Sequence, residues 1–391
     1  MGNKVKLEDL IRSEFVNRRK TFLGAGPMSP ISVQSVIELA NQYKKPISLI
    51  PSRRQIEANS LGGGYVNNWS TEEFVKFVRE RDSGNFVKLS RDHSGPWQLN
   101  AFDSAGQPLS YEQAMNEVKE SLLTDLSLGF DLIHIDPSQG LRFGRSQEEV
   151  ENDIIELLEY CFKNQSTSCA YEVGADEQST VPELVSEAEL KLRRILIEIT
   201  KQKLPLPLFY VLQTGTKVME TRNIGSFDAK LPVNGMLPAS VQLPEIIRMC
   251  ERNGVLIKEH NADYLSDKAL QWHPRFGIHA ANIAPEFGVV ETRALLSIAK
   301  SINDNPFIDE FSEIVLKGLR WSKWMLENSN ATDLEKVEIS GHYHLADPVV
   351  VEMRLQLAEK LRQKSRDLEI EVKNQVKGSI DRYLRWFGYG N

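Results

Sequence analysis

The sequence alternates short apolar runs with longer amphipathic segments, and this alternation constrains the fold more than any other feature. The apolar runs have the length of buried strands, and the segments between them have the 3.6-residue periodicity of helices. Strands that alternate with helices are typical of a parallel sheet. Eight such units predict a fold of the α/β class, a closed (β/α)8 TIM barrel. The predicted strands are residues 21–26, 47–51, 87–90, 132–136, 170–173, 208–213, 255–259 and 277–282.

The chain after Pro285 loses this alternation and keeps only helical periodicity. We therefore expect a barrel with an N-terminal helix in residues 1–300 and a C-terminal helical extension, residues 301–391, packed on the barrel. The segment from Glu352 to Lys377 is rich in Glu, Lys, Arg, Leu and Gln. This composition favours a surface helix or helix pair, and a coiled-coil helix for a partner is the alternative. The predicted helices of this part are residues 286–302, 307–328, 349–370 and 372–387.

Composition argues against several classes of partner. The formal net charge is −7 and the basic residues are dispersed, so we expect no nucleic acid partner. No run approaches the ~18 apolar residues of a membrane span, so we expect no membrane partner. The start of the chain lacks the apolar core of a signal peptide, and the three cysteines lack metal-binding spacing. These features predict a reduced, cytoplasmic protein.

Asp92 and His93 stand where the third predicted strand gives way to Gly95-Pro96. Neighbouring side chains of a strand point to opposite faces. Both side chains can therefore face one cavity only if the strand has already ended, as the Gly-Pro break suggests. The carboxyl ends of the strands are where TIM barrels carry their chemistry.

Other strand ends supply more histidines and carboxylates. His134 and Asp136 follow the fourth strand, Glu172 the fifth, and Glu259 with His260 the seventh. Two imidazoles and several carboxylates over one opening indicate a divalent metal. For His134, which lies between two isoleucines, a role as a buried core histidine is favoured over contact with a substrate.

Three further segments have open interpretations. The long connection from Thr214 to Gln242 predicts an active-site flap. Gly62–Gly64 could bind phosphate through backbone N–H groups, although a flexible loop is favoured. His342 and His344 are two residues apart, which is the spacing of two ligands on one face of a strand. A surface turn is nevertheless the favoured interpretation.

In their order along the chain, these motifs resemble the class II ketose-bisphosphate aldolase superfamily. They are most similar to the Z-type subunit family associated with tagatose-1,6-bisphosphate aldolase. The resemblance runs from about Gly24 to Leu296. The matching segments are Asp92-His93-x-Gly95-Pro96, His134-Ile135-Asp136-x-Ser138, Glu172-Val173, Gln213-x-Gly215, Glu259-His260-x-x-Asp263-Tyr264 and the segment around Asn282.

The resemblance implies roles for these residues. It implies a divalent metal, with Zn²⁺ favoured and Mn²⁺ or Fe²⁺ as alternatives, and it assigns the ligands to His93, Glu172 and His260. The expected catalytic residues are Asp92, which matches the general acid/base of the aldolases, together with Asp136 and Glu259. The expected substrate-binding residues are Ser52, Arg53, Gln55, Gln213, Thr216, His279 and Asn282.

Arg53 and Arg54 depart from the Z-type pattern, which has small polar residues there. A guanidinium at a strand end suits a phosphate or a carboxylate, which it can bind through two hydrogen bonds. We therefore expect Arg53 to bind the anionic group of a substrate. Pairing with Glu57 or Glu72 on the surface is the alternative.

The chain also departs from the catalytic aldolases, which place a third histidine ligand after strand six, where this sequence reads Gln213-Thr214-Gly215-Thr216. Z-type subunits share this gap and are generally regarded as non-catalytic helpers. The favoured function is a metal-dependent aldolase or epimerase that acts on a phosphorylated or acidic sugar through a metal-stabilised enediolate. The alternatives are an accessory subunit that stabilises a catalytic aldolase, and a sugar-binding barrel without a metal. Expected partners are a small sugar or sugar phosphate, and either a catalytic aldolase subunit or further copies of the chain.

Overall fold

The computed structural model describes residues 6–174, 179–228 and 239–390. Eight parallel strands, labelled β1 to β8, close into a barrel in the order β1-β8-β7-β6-β5-β4-β3-β2. The predicted (β/α)8 TIM barrel is confirmed, and each predicted strand overlaps an observed one. The strands are β1 Phe22–Ala25, β2 Ile47–Leu49, β3 Val87–Ser94, β4 Leu132–Ile135, β5 Ala170–Gly174, β6 Phe209–Leu212, β7 Leu256–Glu259 and β8 Ala280–Ile283.

Helices cover the outside of the barrel. The short helix Leu7–Ile11, which continues as a π-helix over Arg12–Val16, precedes β1. The helices after β1 to β6 are Pro30–Tyr43, Thr71–Arg81, Tyr111–Ser127, Gln147–Asn164, Val185–Lys201 and Ala239–Arg252. Asp267–Leu270 and Trp272–Phe276 follow β7, and Pro285–Ser301 follows β8.

Capping boxes fix where several of these helices begin, among them those after β2, β3 and β4. Ser70, Ser110 and Ser146 each accept a hydrogen bond from the backbone N–H three residues later, and the side chain at that later position returns a bond. Such a cap satisfies backbone donors that the first helical turn leaves free, and is worth about 1 kcal/mol. The loops after β2, β3 and β4, which carry strand-end residues, therefore each end at a defined residue.

The described part of the extension forms four α-helices where three were predicted. Residues 307–328 do not form one helix, because the chain leaves the helical conformation at Leu319, whose φ is +53°. The predicted helix over 349–370 is likewise divided near Ser365, whose φ is +56°. The observed helices from residue 305 onward are Asn305–Lys317, Asp333–Ser340, Pro348–Arg362 and Leu368–Trp386.

The last helix packs on the barrel helix Pro30–Tyr43. The Tyr43 hydroxyl donates to Asp381 Oδ1 at 2.6 Å. Lys373 and Lys377 pair with Glu38 at 2.9 and 3.1 Å. One hydrophobic cluster includes side chains of β1, β2 and this helix. The two parts therefore share a core, and the domain boundary after residue 300 stays a prediction.

The long connection after β6 is described only in part. Near its start it forms a short hairpin, in which the two-residue strand Val218–Met219 pairs with Arg222–Asn223. Residues 229–238 of the predicted flap lie outside the described residues. In the described part of the chain, no helix has the length and apolar character needed to cross a membrane.

Candidate active site

An irregular end of β3 brings Asp92 and His93 to the same opening. The strand continues to Ser94 and does not end at residue 90 as expected. Its register against β4 shifts between Arg91 and Ser94, and His93 has a φ of +50°. A bulge and a left-handed residue break the alternation of side chains, at a cost of roughly 1 kcal/mol for the left-handed residue. Asp92 and His93 thus line one cavity although the strand has not ended.

This cavity lies at the carboxyl ends of the strands and has a volume of about 210 Å³. The predicted residues that line it are Ser52, Gln55, Asp92, His93, His260 and Asn282. Residues of the extension also line it, together with Arg54, Tyr65 and Asn261. The barrel and the extension therefore both contribute to the candidate site.

Three imidazoles and one carboxylate meet beside this cavity. His93 Nε2 lies 3.3 Å from Asp92 Oδ2 and 3.1 Å from His260 Nε2. His134 Nδ1 lies 3.4 Å from Asp92 Oδ1. The ligand atoms of Asp92, His93 and His134 are all within 4.8 Å of one another. Two imidazole nitrogens this close either share a proton or face a common cation, so the cluster has the donors and the spacing of a metal site.

The electrostatics of the cluster favour an ionised Asp92. Burial alone would raise the pKa of this carboxyl group, but the charges of His93 and His260 and the hydrogen bond from His134 hold it well below its usual range. Asn282 contributes a weaker contact, because its Nδ2 lies 3.5 Å from Asp92 Oδ1. The carboxyl group is thus ionised, as both a proton acceptor and an anionic ligand must be.

Asp136 positions His93. Its Oδ2 lies 2.9 Å from His93 Nδ1 and accepts a hydrogen bond from Gln98 Nε2 at 3.0 Å, while its Oδ1 accepts from the Ser138 N–H at 3.1 Å. A carboxylate at Nδ1 orients an imidazole and leaves Nε2 for a metal. Asp136 is fully buried and is not part of the cavity lining. The structure thus places Asp136, an expected catalytic residue, against His93 and outside the cavity lining.

Glu172 is paired with Lys258. The Lys258 ammonium lies 2.7 and 3.0 Å from the two carboxylate oxygens, and both residues are buried. Glu172 Oε1 is 4.0 Å from His134 Nδ1. The predicted set of His93, Glu172 and His260 is therefore not the set that the structure brings together, because the ammonium occupies both oxygens. Asp92 and His134 stand beside the other two histidines instead.

Three other predicted residues lie away from the cavity. Glu259 is fully buried and contacts His273 Nε2 at 2.7 Å and the Thr214 hydroxyl. Thr216 is buried, with its hydroxyl 3.4 Å from that of Thr214. His279 precedes β8 at the amino end of the barrel, where its Nδ1 accepts from the Ile257 N–H at 3.2 Å and burial lowers its pKa to about 4. None of the three is placed to contact a substrate at the carboxyl end.

The two arginines after β2 differ in burial and in their partners. Arg53 is buried, and its guanidinium pairs with Glu57 at 2.7 Å and Glu117 at 3.2 Å. Because carboxylates of the chain already occupy its donors, the structure favours pairing with Glu57 over the expected binding of a substrate anion by Arg53. Arg54 is exposed and lines the cavity, with its Nε donating to the Gln98 carbonyl at 2.9 Å.

The remaining predicted residues differ in their placement. Gln55 accepts from the Ser52 N–H at 2.8 Å and donates to the Pro27 carbonyl at 3.0 Å, so it orders the loop after β2. Gln213 lines a separate cavity of about 480 Å³ near the ends of β5 and β6. Its Oε1 accepts from the Ser179 N–H at 3.2 Å. Gln213 is thus not a neighbour of the histidine cluster.

The extension supplies a wall of the cavity that the sequence did not indicate. We call Lys323, Trp324, His342 and Tyr343 the extension wall. The expected surface turn at His342 is wrong, because this side chain is buried in the 3-10 turn Gly341–His344. Burial and the neighbouring Lys323 lower the His342 pKa to about 3. The only sequence signal for this wall was the alternation of His342 with His344, and it did not distinguish a buried turn from an exposed one.

No protein-family model matches the chain, and no curated protein matches it significantly. Solved structures resemble it over almost its whole length. A probable tagatose 6 phosphate kinase from Sinorhizobium meliloti 1021 is 14% identical with a TM-score of 0.73, over 94% of this chain and 100% of that one. The fructuronate-tagaturonate epimerase UxaE from Cohnella laeviribosi is 10% identical with a TM-score of 0.57, over 94% and 81%. The YdjI aldolase from Escherichia coli K12 is 12% identical with a TM-score of 0.54, over 98% and 96%. At these identities the likeness shows the fold, a TIM barrel.

Proposed function

We propose that the chain is a divalent-metal-dependent aldolase or epimerase that acts on phosphorylated or acidic sugars through an enediolate. The observation that carries this proposal is the cluster of His93, His134 and His260 around the ionised Asp92. The fold is also that of an aldolase and of a sugar-acid epimerase. Aldol cleavage and epimerisation both need a base beside a polarised carbonyl or hydroxyl group, so one site suits either reaction.

The residues fit a divalent cation. His134 Nε2 is buried and has no hydrogen-bond partner among the described residues, which is costly unless a ligand satisfies it. Three imidazoles suit Zn²⁺, and a nearby carboxylate also admits Mn²⁺ or Fe²⁺. We propose that His93, His134 and His260 hold the ion. When bound, it would polarise a substrate carbonyl or hydroxyl group as a Lewis acid.

The chain's own residues would do the rest of the chemistry. Asp92 faces the cavity as a carboxylate and would take the substrate proton, an effect worth ~10²–10⁴-fold. Asn282 Nδ2 steadies Oδ1 of that carboxylate. Asp136 keeps His93 in one orientation. These contacts preorganise the base and the imidazoles before a substrate arrives.

The test is metal analysis of protein purified without chelator, followed by turnover assays on ketose phosphates and hexuronates with Zn²⁺, Mn²⁺ and Co²⁺. We expect close to one metal equivalent, its loss in His93→Ala, and its retention in His279→Gln, a control at the opposite end of the barrel. Asp92→Asn should abolish turnover at unchanged metal content. Equal metal content in the two histidine variants would place the ion elsewhere.

An accessory subunit is the second candidate, because Gln213, the first residue after β6, faces a separate cavity and β6 brings no histidine to the cluster. This candidate predicts activity only after a separate catalytic aldolase is added. It also predicts that Asp92→Asn supports that partner as well as the wild type does. Turnover by the isolated chain would exclude it.

A further inference from the structure

We propose that the extension wall binds the anionic group of the substrate, a phosphate or a carboxylate, with Lys323 as its main cation and Trp324 as a hydrogen-bond donor. This inference rests on the proposed function, since it assigns the substrate class to the same cavity. It also moves the recognition of charge from the barrel, where Arg53 was expected to provide it, to the extension.

The extension wall lies at the same cavity as the histidine cluster. Lys323 and Trp324 lie in the 3-10 turn Ser322–Trp324 and line the same cavity as Asp92 and His260. A small sugar placed against the histidine cluster would therefore reach the extension wall with its other end. The wall and the cluster face one cavity of about 210 Å³, which has room for one small ligand.

The turn that carries Lys323 and Trp324 is held in place from the barrel side. In the hairpin after β6, the Glu220 N–H donates to the Trp324 carbonyl at 2.8 Å. Glu220 Oε1 in turn accepts from the Ser329 hydroxyl at 2.6 Å. On the other side, the Tyr343 ring packs edge-on against the Tyr65 ring with centroids 5.1 Å apart. The wall is thus attached to two barrel loops, which makes it part of the cavity.

The extension wall and its surroundings carry several positive charges. Lys323 Nζ lies 4.9 Å from the Trp324 ring centroid and 5.0 Å from that of Tyr343. The guanidinium of Arg320 is 5.5 Å from the Tyr343 ring, and Arg54 lines the cavity from the loop after β2. Within the described ranges, none of these three cations has a carboxylate within 4 Å. In a chain of net charge −7, two such cations at the cavity and a third beside Tyr343 favour an anionic ligand.

Two hydrogen-bond donors of residues that line the cavity are left unsatisfied. Trp324 Nε1 and Asn261 Nδ2 are buried and have no hydrogen-bond partner in the described part of the chain. Both atoms are donors. Burying a donor without an acceptor costs about 1–3 kcal/mol, and an oxyanion offers several acceptors at once. The donors and the cations therefore select the same class of ligand.

The experiment titrates inorganic phosphate into purified protein by calorimetry. We expect Lys323→Met to weaken phosphate binding by about tenfold or more, and Lys323→Arg to restore most of it. Lys317→Met is the matched control, because Lys317 is exposed, pairs with Glu313 and does not line the cavity. Equal phosphate affinity in wild type, Lys323→Met and Lys317→Met would overturn the proposal.

Two further measurements identify the anion and its position. A parallel titration with acetate distinguishes a phosphate site from a carboxylate site, since the ligand that binds more tightly and responds more strongly to Lys323→Met identifies the anion. Phosphate should also change the intrinsic fluorescence of the wild type, and Trp324→Phe should remove that change. A response that persists in Trp324→Phe would contradict the placement of the anion.

The outcomes separate this inference from the proposed function. Phosphate binding through Lys323 in a protein that holds no metal would support the anion site and refute the metal-dependent reaction. Metal-dependent turnover of a sugar phosphate or sugar acid, with no effect of Lys323→Met on phosphate binding, would support the proposed function and refute the anion site.

Discussion

Removing one partner of the Glu172–Lys258 ion pair should destabilise the barrel strongly. Lys258→Met leaves a carboxylate in the interior beside His134, and Glu172→Gln leaves an ammonium there without its partner. Loss of one partner of a buried pair typically costs about 3–5 kcal/mol, because the remaining charge is neither hydrated nor compensated. We expect each single variant to lose that much free energy of unfolding.

The geometry of the pair supports a value of this size. The ammonium contacts both carboxylate oxygens, at 2.7 and 3.0 Å, and the side chains are 4% and 1% exposed. At an effective dielectric constant of 20 and a separation near 3 Å, Coulomb's law gives on the order of 5 kcal/mol before desolvation is subtracted. Water cannot screen an interaction that is buried to this degree, so the loss should persist at high salt.

The assay is urea unfolding followed by circular dichroism, with a double-mutant cycle. The variant that combines Lys258→Met with Glu172→Gln should recover about 2 kcal/mol or more relative to the sum of the single losses, because it removes both charges. Lys317→Met is the control, since its pair with Glu313 is 74% and 64% exposed. Such a surface pair is worth at most about 1 kcal/mol.

Additive losses in this cycle would refute the reasoning. Metal analysis of the same variants tests the ligand assignment. If Glu172→Gln lost the metal while Lys258→Met stayed as stable as the wild type, Glu172 would be the ligand that the family resemblance implied. We expect Glu172→Gln to keep its metal.

Two more predictions concern residues next to the site. Gly24→Ala should lower turnover roughly 10²-fold at unchanged metal content, because a Cβ there would lie 2.2 Å from Asn282 Oδ1 and would push that amide from Asp92; full activity would show that Asn282 is not needed there. Asp263→Asn should make stability less dependent on pH. Burial and the neighbouring Glu286 raise the Asp263 pKa well above its usual value, so its contribution to stability is present below about pH 4 and is lost as pH rises through the raised pKa. Urea midpoints at pH 5 and pH 8 should therefore differ less in the variant, and an unchanged difference would contradict the assignment.

The sequence predicted the barrel well because its elements are determined locally. Ser70, Ser110 and Ser146 cap helices where the periodic segments begin, and the predicted helix starts at residues 71, 111 and 147 agree with the structure. The location of Asp92, His93 and His260 at the carboxyl end of the barrel also followed from strand order, whereas the bulge that turns Asp92 and His93 to one cavity did not. These features need only the period of the hydrophobic residues and the parallel arrangement of the strands.

Features that depend on distant partners could not be predicted. Nothing near Arg53 in sequence shows that Glu117 reaches it, and nothing near Glu172 indicates Lys258. Whether a charged residue binds a ligand or a neighbour depends on such long-range contacts. The same holds for Lys323, which lies far along the chain from the barrel residues whose cavity it shares.

The bulge in β3 also limits how the barrel could be redesigned. Regular pairing of this strand with β4 would remove the left-handed conformation of His93 and would satisfy the usual rules for an ideal backbone. It would also return Asp92 and His93 to opposite faces of the sheet. An idealised copy of this barrel should therefore be more stable than the natural chain and lack the proposed metal site.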